Sequence, residues 1–369
     1  MNEISNDIMR NPKLYLKNYL KMSKIGSAVR RYRWKKSRFS DSNAVKALEK
    51  YYKKPLSNAE KQRVLKDMID MGKKYRFDYN EYFLFDFMNL SEKERLEFIP
   101  DLERIDILET VNLAKNEPIF DDKYLTYRVF SKYFQRDVCC VLGGEDSFLN
   151  FMKRHDVFVV KPFDGGCGSG VQIISQKNHP SSDSIWEKLM KEYPRGFIAE
   201  EKIRQHPDMA KLHPSSVNTV RIPTLRMDDR VEILHPFMRI GRGDMIVDNA
   251  GAGGICGLLN LETGEIISTR DEDGNRYVTH PETGEPLIGF KVPHWQEALE
   301  LVRKLAYVLP SNRYTGWDLA LGDTGWQLVE ANARGQFIGW QITSQKGFRK
   351  ELEGLLKELG YTASFLKGL

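Results

Sequence analysis

The sequence contains no run of about 18 uncharged apolar residues, so it offers no transmembrane helix. Met1 to Leu20 lack an apolar stretch followed by a small-residue cleavage site, so no secretory signal is expected there. Cysteine is scarce. Cys139, Cys140, Cys167 and Cys256 make no C-x-x-C pair, which argues against a zinc site or a disulfide framework and points to a reducing, cytoplasmic compartment. The seven histidines form no H-x-x-x-H pair, and no His-based catalytic triad stands out. With Gly 28 and Pro 15, the chain is neither collagen-like nor of low complexity.

What is present is ample apolar material. The 369 residues are 41% hydrophobic and 29% charged, enough to build two or three packed lobes. Net charge is +5, unevenly spread. Ile8 to Ser40 carry eleven Lys/Arg and no Asp or Glu, so the rest of the chain is −6. Arg10, Lys13, Lys17, Lys21 and Lys24 recur at helical spacing opposite Ile8, Tyr15, Leu16, Tyr19 and Leu20. A solvated helix face is the first reading of this arm, and docking on an anionic membrane surface through residues 8–40 is the second. Basic residues interleaved with aromatics also suit nucleic acid, but that reading leaves the downstream motifs unexplained, so nucleic acid is not the expected partner.

Three regions follow from composition and periodicity. Residues 1–118 read as a helical front lobe with the basic arm, with capped starts at Ser57 and Ser91. Residues 119–203 read as a small α+β lobe with strands near 157–160, 173–174 and 197–199. Residues 204–369 read as a larger strand-rich lobe ending in a helix. Glu262–Glu265 and Glu282–Glu285 look like two similar hairpin turns rather than a repeat. Asp271-Glu272-Asp273-Gly274 has its glycine two places too early for a calcium loop and reads as a turn.

Two motifs carry chemistry. In the first, Val159-Val160-Lys161-Pro162 leads into Gly165, Gly166, Gly168, Ser169 and Gly170, four glycines in six residues. Such a loop can expose backbone N–H groups in a concave nest for phosphate, and Lys161 adds a point charge. It lacks the G-K-[ST] ending of a P-loop and the spacing of a dinucleotide fingerprint. A ligand-free glycine hairpin remains the plain alternative. In the second motif, Gly316-Trp317-Asp318 and Glu330-Ala331-Asn332 flank a turn at 322–325. Glu330 and Asn332, two apart on a strand, share a face, and Asp318 can sit opposite them. Two carboxylates and a carboxamide make an oxygen-rich Mg²⁺ site, with Arg334 beside it to neutralise phosphate charge. A solvated acidic strand face is the alternative. Arg221 and Arg239 lie in alternating strand patterns, where either an anion or a structural ion pair would explain them.

The order of these motifs from about Asp121 to Gln341 resembles the ATP-grasp superfamily, in its sugar-transfer-associated branch. The similar features are Asp122-Lys123 before a helix, the Lys-Pro-x-x-Gly-Gly-x-Gly-Ser-Gly segment, Glu200-Glu201-Lys202-Ile203, Ser216-Val217-Asn218-Thr219-Val220-Arg221, Asp248 to Gly254, and Asp318 with Glu330-x-Asn332. The resemblance implies an α+β fold with two lobes clamping ATP and Mg²⁺. It implies Lys123 and Lys161 on the phosphates, Gly165 to Gly170 as the closing loop, and Glu200 to Ile203 as the hinge that pairs with adenine. Asp208 is the candidate ribose carboxylate. Arg221, Arg239 and Arg334 would serve the transferred phosphoryl group, and Asp318, Glu330 and Asn332 the metal. The implied activity joins a small-molecule carboxylate to an amine, on a saccharide in surface-polysaccharide biosynthesis. A kinase releasing a phosphorylated product is the second reading. The helical front lobe departs from the α/β first domain common in such ligases.

Overall fold

The computed structural model describes Val29, residues 38–166, 168–246, Asp248 and residues 253–361. Most of the basic arm, Cys167, and residues 249–252 of the Asp248 to Gly254 motif lie outside the described residues.

Among the described residues, 38–134 form helices and the connections between them. α1 (Asp41–Tyr51), α2 (Asn58–Tyr75) and α3 (Tyr79–Leu84) pack together, with α4 (Asp101–Val111) behind them. Ser57 caps α2 in a full capping box, its hydroxyl accepting from the Glu60 amide while the Glu60 carboxylate accepts from the Ser57 amide at 2.9 Å. Ser91 does the same for the short turn Glu92–Arg95. The core is aromatic, with Phe77, Phe85, Phe87 and Phe98 edge-on or stacked at 4.7–6.4 Å.

α5 (Lys123–Phe130), capped by the Asp122 carboxylate on the Tyr124 and Leu125 amides, packs Tyr124 on the small sheet's core and Phe130 on the large sheet's, and the small lobe follows it. Its sheet runs β1-β4-β2-β3, all antiparallel, from β1 (Val138–Cys140), β2 (Val157–Pro162), β3 (Gln172–Ser175) and β4 (Phe197–Glu201). Helices α6 (Glu145–Met152) and α7 (Ser182–Glu192) cover one face, burying Phe148, Phe151, Ile185 and Leu189 against Phe158 and Phe197.

The large lobe is a seven-stranded antiparallel sheet of order β11-β10-β5-β7-β8-β9, with β6 on β5. A short α8 (Pro207–Leu212) precedes β5 (Thr219–Arg226), β6 (Val231–Ile233), β7 (Phe237–Ile240), β8 (Ile255–Leu259) and β9 (Ile266–Arg270). α9 (Trp295–Ala306) then packs on the sheet ahead of β10 (Tyr314–Gly322) and β11 (Gly325–Asn332). Every residue of β10 is buried, because the strand lies between β11 and β5 and is packed on both faces. α10 (Ile338–Ser344) and α11 (Arg349–Glu358) close the described chain.

The two similar tetrapeptides are turns. Gly264 and Gly284 both adopt positive φ, and both donate an amide back four residues, to Asn260 and His280. Asp271 accepts from the Asp273 and Asn275 amides, an Asx-type turn. A further core joins α4 of the front lobe to the large lobe, packing Ile107, Leu108 and Val111 with Leu225, Tyr314, Phe337 and Phe348. Among the described residues, no helix is long and apolar enough to cross a membrane.

Candidate active site

A 620 Å³ cavity lies between the small sheet and the large one. Its small-lobe wall carries Lys161 and the glycine loop that joins β2 to β3. Lys161 is the last residue but one of β2, and its ammonium bonds the Glu200 carboxylate across the sheet at 2.8 Å. Arg136 reaches the same carboxylate oxygen with two nitrogens, at 2.7 and 2.9 Å. Burial alone would raise the Glu200 carboxyl, but the two cations outweigh it and hold it at about 2. Burial pushes the Lys161 ammonium below its usual range.

Gly165, Gly168 and Gly170 take positive φ, which lets the loop fold on itself. Two of its amides point inward, Ser169 N to Gly166 O and Val171 N to Gly168 O. The loop is tied at its start by Lys123, whose ammonium donates to the Gly165 carbonyl at 2.7 Å and whose amide donates to Phe163 O. Asp122 therefore caps the helix that aims Lys123 at the loop.

The large-lobe wall is one row of cross-strand neighbours. Glu330 on β11 faces Asp318 on β10, and Asp318 faces Arg221 on β5. Thr219, two along β5 on the same side, faces Arg239 on β7. The β10–β11 register slips by one residue at Asp318/Leu319, leaving Val329 unpaired. Such bulges re-aim side chains at the rims of sites. Asp318 is 0% exposed. Its carboxylate takes Arg221 through two nitrogens, Arg239 at 2.9 Å, and the Asn332 amide at 3.3 Å. Burial would raise its carboxyl, but Arg221 and Arg239 hold it below the ordinary value.

The structure sorts the expected site residues. Lys123, Lys161, Gly165, Gly166, Gly168, Ser169, Glu200, Glu201, Lys202, Ile203, Arg239 and Glu330 line the cavity. Gly170 lies behind the loop, where a Cβ would sit 3.2 Å from the Pro162 ring. Asp318, wholly buried, and Asn332 also stand outside the lining, behind Glu330, and three further placements differ from expectation. Asp208 stands in the first turn of α8, half exposed and bonded to Lys211 at 2.7 Å, outside the lining, because the chain turns into that helix after the hinge. Arg334 turns away to pair with buried Glu117 of the front lobe at 2.7 Å. Arg221 does not reach the cavity, since its guanidinium is spent on Asp318, so here the ion-pair explanation holds.

The donor set fits magnesium in part. The Glu330 carboxylate has no hydrogen bond or ion pair among the described residues, and Asn332 donates its amide nitrogen to Asp318, which leaves its carbonyl oxygen for a cation. Asp318 has four donors already, so a direct metal bond from it requires an arginine to let go. Mg²⁺ commonly keeps waters and phosphate oxygens beside one or two carboxylates, so Glu330 and Asn332 would meet that need only with a loosened Asp318; among the described residues no cluster of three His, Cys, Asp or Glu stands ready for a metal.

Sequence reasoning passed over Asp248 and Arg136. Asp248 is 7% exposed and lines the cavity. It accepts from the Thr219 amide at 2.8 Å and from its hydroxyl, and burial raises its carboxyl. It was visible as the first residue of the 248–254 motif. Arg136 had no local signal.

The front lobe braces the carboxylate end of the hairpin. Asn112 donates to Tyr314 O at 3.0 Å and Ala333 O at 2.9 Å and accepts from Tyr314 N, bridging β10 to the end of β11. Arg104 donates to Arg334 O at 2.5 Å.

A cavity walled by a lysine and glycine loop on one sheet and by carboxylates on another is a clamp for a polyanion carrying a cation. The chain belongs to the sugar-transfer-associated ATP-grasp family, which it matches over residues 103–357. No curated protein matches it in sequence. Solved structures similar to it include D-alanine–D-alanine ligase from Bacillus anthracis, at 13% identity and TM-score 0.38, with 67% of this chain and 68% of that one covered. The ATP-grasp ligase PsnB with a precursor, Mg and ADP has 12% identity and TM-score 0.42, with 82% and 76% covered. The ADP complex of N5-carboxyaminoimidazole ribonucleotide synthetase has 10% identity and TM-score 0.40, with 62% and 48% covered, so this chain spans about half of that one's length.

Proposed function

We propose that the protein is an ATP- and Mg²⁺-dependent ligase that joins a small-molecule carboxylate to an amine through an acyl phosphate. The observation that supports this most is the pairing, across one cavity, of Lys161 and the Lys123-tethered glycine loop with the Glu330 carboxylate. Family membership supplies the nucleotide.

The chemistry balances simply. A carboxylate oxygen of the first substrate attacks the γ-phosphorus of ATP, and the bond to the bridging oxygen breaks, giving an acyl phosphate and ADP. An amine then attacks the acyl carbon, phosphate leaves with the C–O electron pair, and the amine proton goes to solvent. Lys161 and Lys123 balance the nucleotide's phosphate charge from the small lobe. The glycine loop can approach the phosphates closely because no Cβ intervenes. Arg239, at the cavity wall, faces negative charge developing on the transferred group. Glu330 and Asn332, with Asp318 behind them, would hold magnesium, which as a Lewis acid neutralises charge on phosphate oxygens. Apolar Val159, Ile173, Ile203 and Val217 line the same cavity as the Glu200–Ile203 hinge and suit a flat base. Closure of the loop would keep water from the intermediate.

The branch name favours a saccharide-linked substrate of surface polysaccharide synthesis. The lobes read as 1–118, 119–203 and 204–369, and the protein would act in the cytoplasm, with its basic arm meeting anionic lipid at the inner membrane face. Liposome co-sedimentation with and without residues 1–40 tests that last point, and equal binding refutes it. The main test is ADP release from a panel of uronic acids paired with amino acids. Release should need both substrates and Mg²⁺, should stop with EDTA, and should return on adding Mg²⁺. Phosphorylated product accumulating with no amine requirement would establish the kinase reading instead.

A further inference from the structure

Arg136 sits in the turn before β1, and its side chain is only 2% exposed. Its guanidinium crosses the seam between the two walls of the cavity. On the small-lobe side, two of its nitrogens hold one oxygen of Glu200 on β4. On the large-lobe side, the remaining nitrogen donates to the Leu328 carbonyl at 2.7 Å and the Gln327 side chain at 3.3 Å, both on β11. It also reaches Phe134 O at 3.0 Å and lies over the Phe134 ring at 4.6 Å. Leu328 is two residues from Glu330. Arg136 therefore fixes the offset between the strand that faces Lys161 and the strand that bears the open carboxylate.

The same contacts bear on Lys161. Its ammonium bonds the very Glu200 oxygen that Arg136 already fills. A carboxylate oxygen offers about two lone-pair directions, and three N–H donors converge there. Arg136 sets two nitrogens of one rigid plane on that oxygen, against a single flexible ammonium from Lys161. Lys161 is the surplus donor, and it loses little by turning to a phosphate.

We propose that Arg136 is a positioning residue that satisfies Glu200 in place of Lys161, so that the lysine is free to meet the nucleotide, while locking β4 to β11. The proposal rests on the nucleotide site above. Without Arg136, Lys161 would be the lone counter-ion of a buried carboxylate and would stay bound to it.

The test is calorimetric titration of the full-length protein with ADP in the presence of Mg²⁺, with thermal unfolding run in parallel. Arg136→Met should weaken Mg-ADP binding at least tenfold. Arg136→Lys, which keeps a charge but cannot serve both strands, should fall between. Adding Glu200→Gln to Arg136→Met removes the anion that traps Lys161, and binding should rise at least threefold above that of Arg136→Met, short of the parent because the β4–β11 lock stays lost. If Arg136→Met does not fold, the lysine variant and the double variant decide. Parent-like binding by Arg136→Met overturns the proposal. So does a double variant that binds no better than the single one, or binding losses that merely track melting temperature, because each means that Arg136 only holds the fold. A parent protein that fails to bind Mg-ADP refutes the nucleotide site itself and leaves a different signature.

Discussion

Replacing Asp318 by Asn separates a charge that holds the sheet together from a charge that serves chemistry. The sequence suggests that Asp318→Asn removes a metal ligand and leaves the fold intact. The structure says otherwise. Asp318 is wholly buried and neutralises Arg221 and Arg239 together. Arg221 is itself 8% exposed, and Arg239 keeps Asp248 at 3.8 Å and the more distant charge of Glu330. Removing one member of a buried ion pair costs about 3–5 kcal/mol, because the partner keeps its charge without solvent. At about 2–4 °C per kcal/mol for a lobe of this size, melting should drop by roughly 6–20 °C. Glu330→Gln is the control. That carboxylate is half-buried and makes no hydrogen bond or ion pair among the described residues, so its loss should leave melting within about 2 °C while abolishing turnover. The pH dependence has a definite sign. The folded Asp318 carboxyl is held below its ordinary value, so its contribution is present at neutral pH and is lost as pH falls through the folded value. The parent should therefore lose stability on acidification, and Asp318→Asn should lose less. Scanning calorimetry of the three proteins between pH 3 and 8 gives both readings. An Asp318→Asn protein melting within 2 °C of the parent would falsify the claim that this carboxylate is a structural hub.

Other outcomes follow from the same contacts. Asn112→Ala strips partners from the Ala333 carbonyl and the Tyr314 amide, each worth about 1–3 kcal/mol when left buried; chemical denaturation should show that loss, and kcat should fall with it because the chain just past Asn332 is less firmly tied to Tyr314. Gly196→Ala should destabilise the small lobe by about 1–3 kcal/mol, since φ is +102° and the new Cβ would lie 2.3 Å from the Phe163 ring; faster limited proteolysis within residues 138–201 reports it. Glu200 is held at about 2 against 4.5 when unfolded, so its contribution is complete above pH 4.5 and fades towards pH 2; Glu200→Gln should flatten that part of the acid melting curve. Cys256, buried with its thiol pushed up to about 12, should escape iodoacetamide in the native protein at pH 8, as mass spectrometry of the peptides can check.

Local spacing already carried much of the site. The two-residue interval from Glu330 to Asn332 required a shared strand face, and the apolar run into Lys161 required that the lysine end a strand beside the glycine loop. Both are properties of the chain over a few residues, set by the pleat and by which residues tolerate positive φ. The capping boxes at Ser57 and Ser91 and the paired glycine turns are local in the same sense. What each buried charge does was not local. Whether Arg221 meets an anion or a carboxylate depends on β5 lying beside β10, residues nearly a hundred apart in sequence. Arg334 turns to Glu117 because a front-lobe helix happens to reach that corner, and Arg136 matters because its turn falls where two sheets meet. Alternation along a strand tells which way a side chain points; only the order of strands across a sheet tells what it finds there.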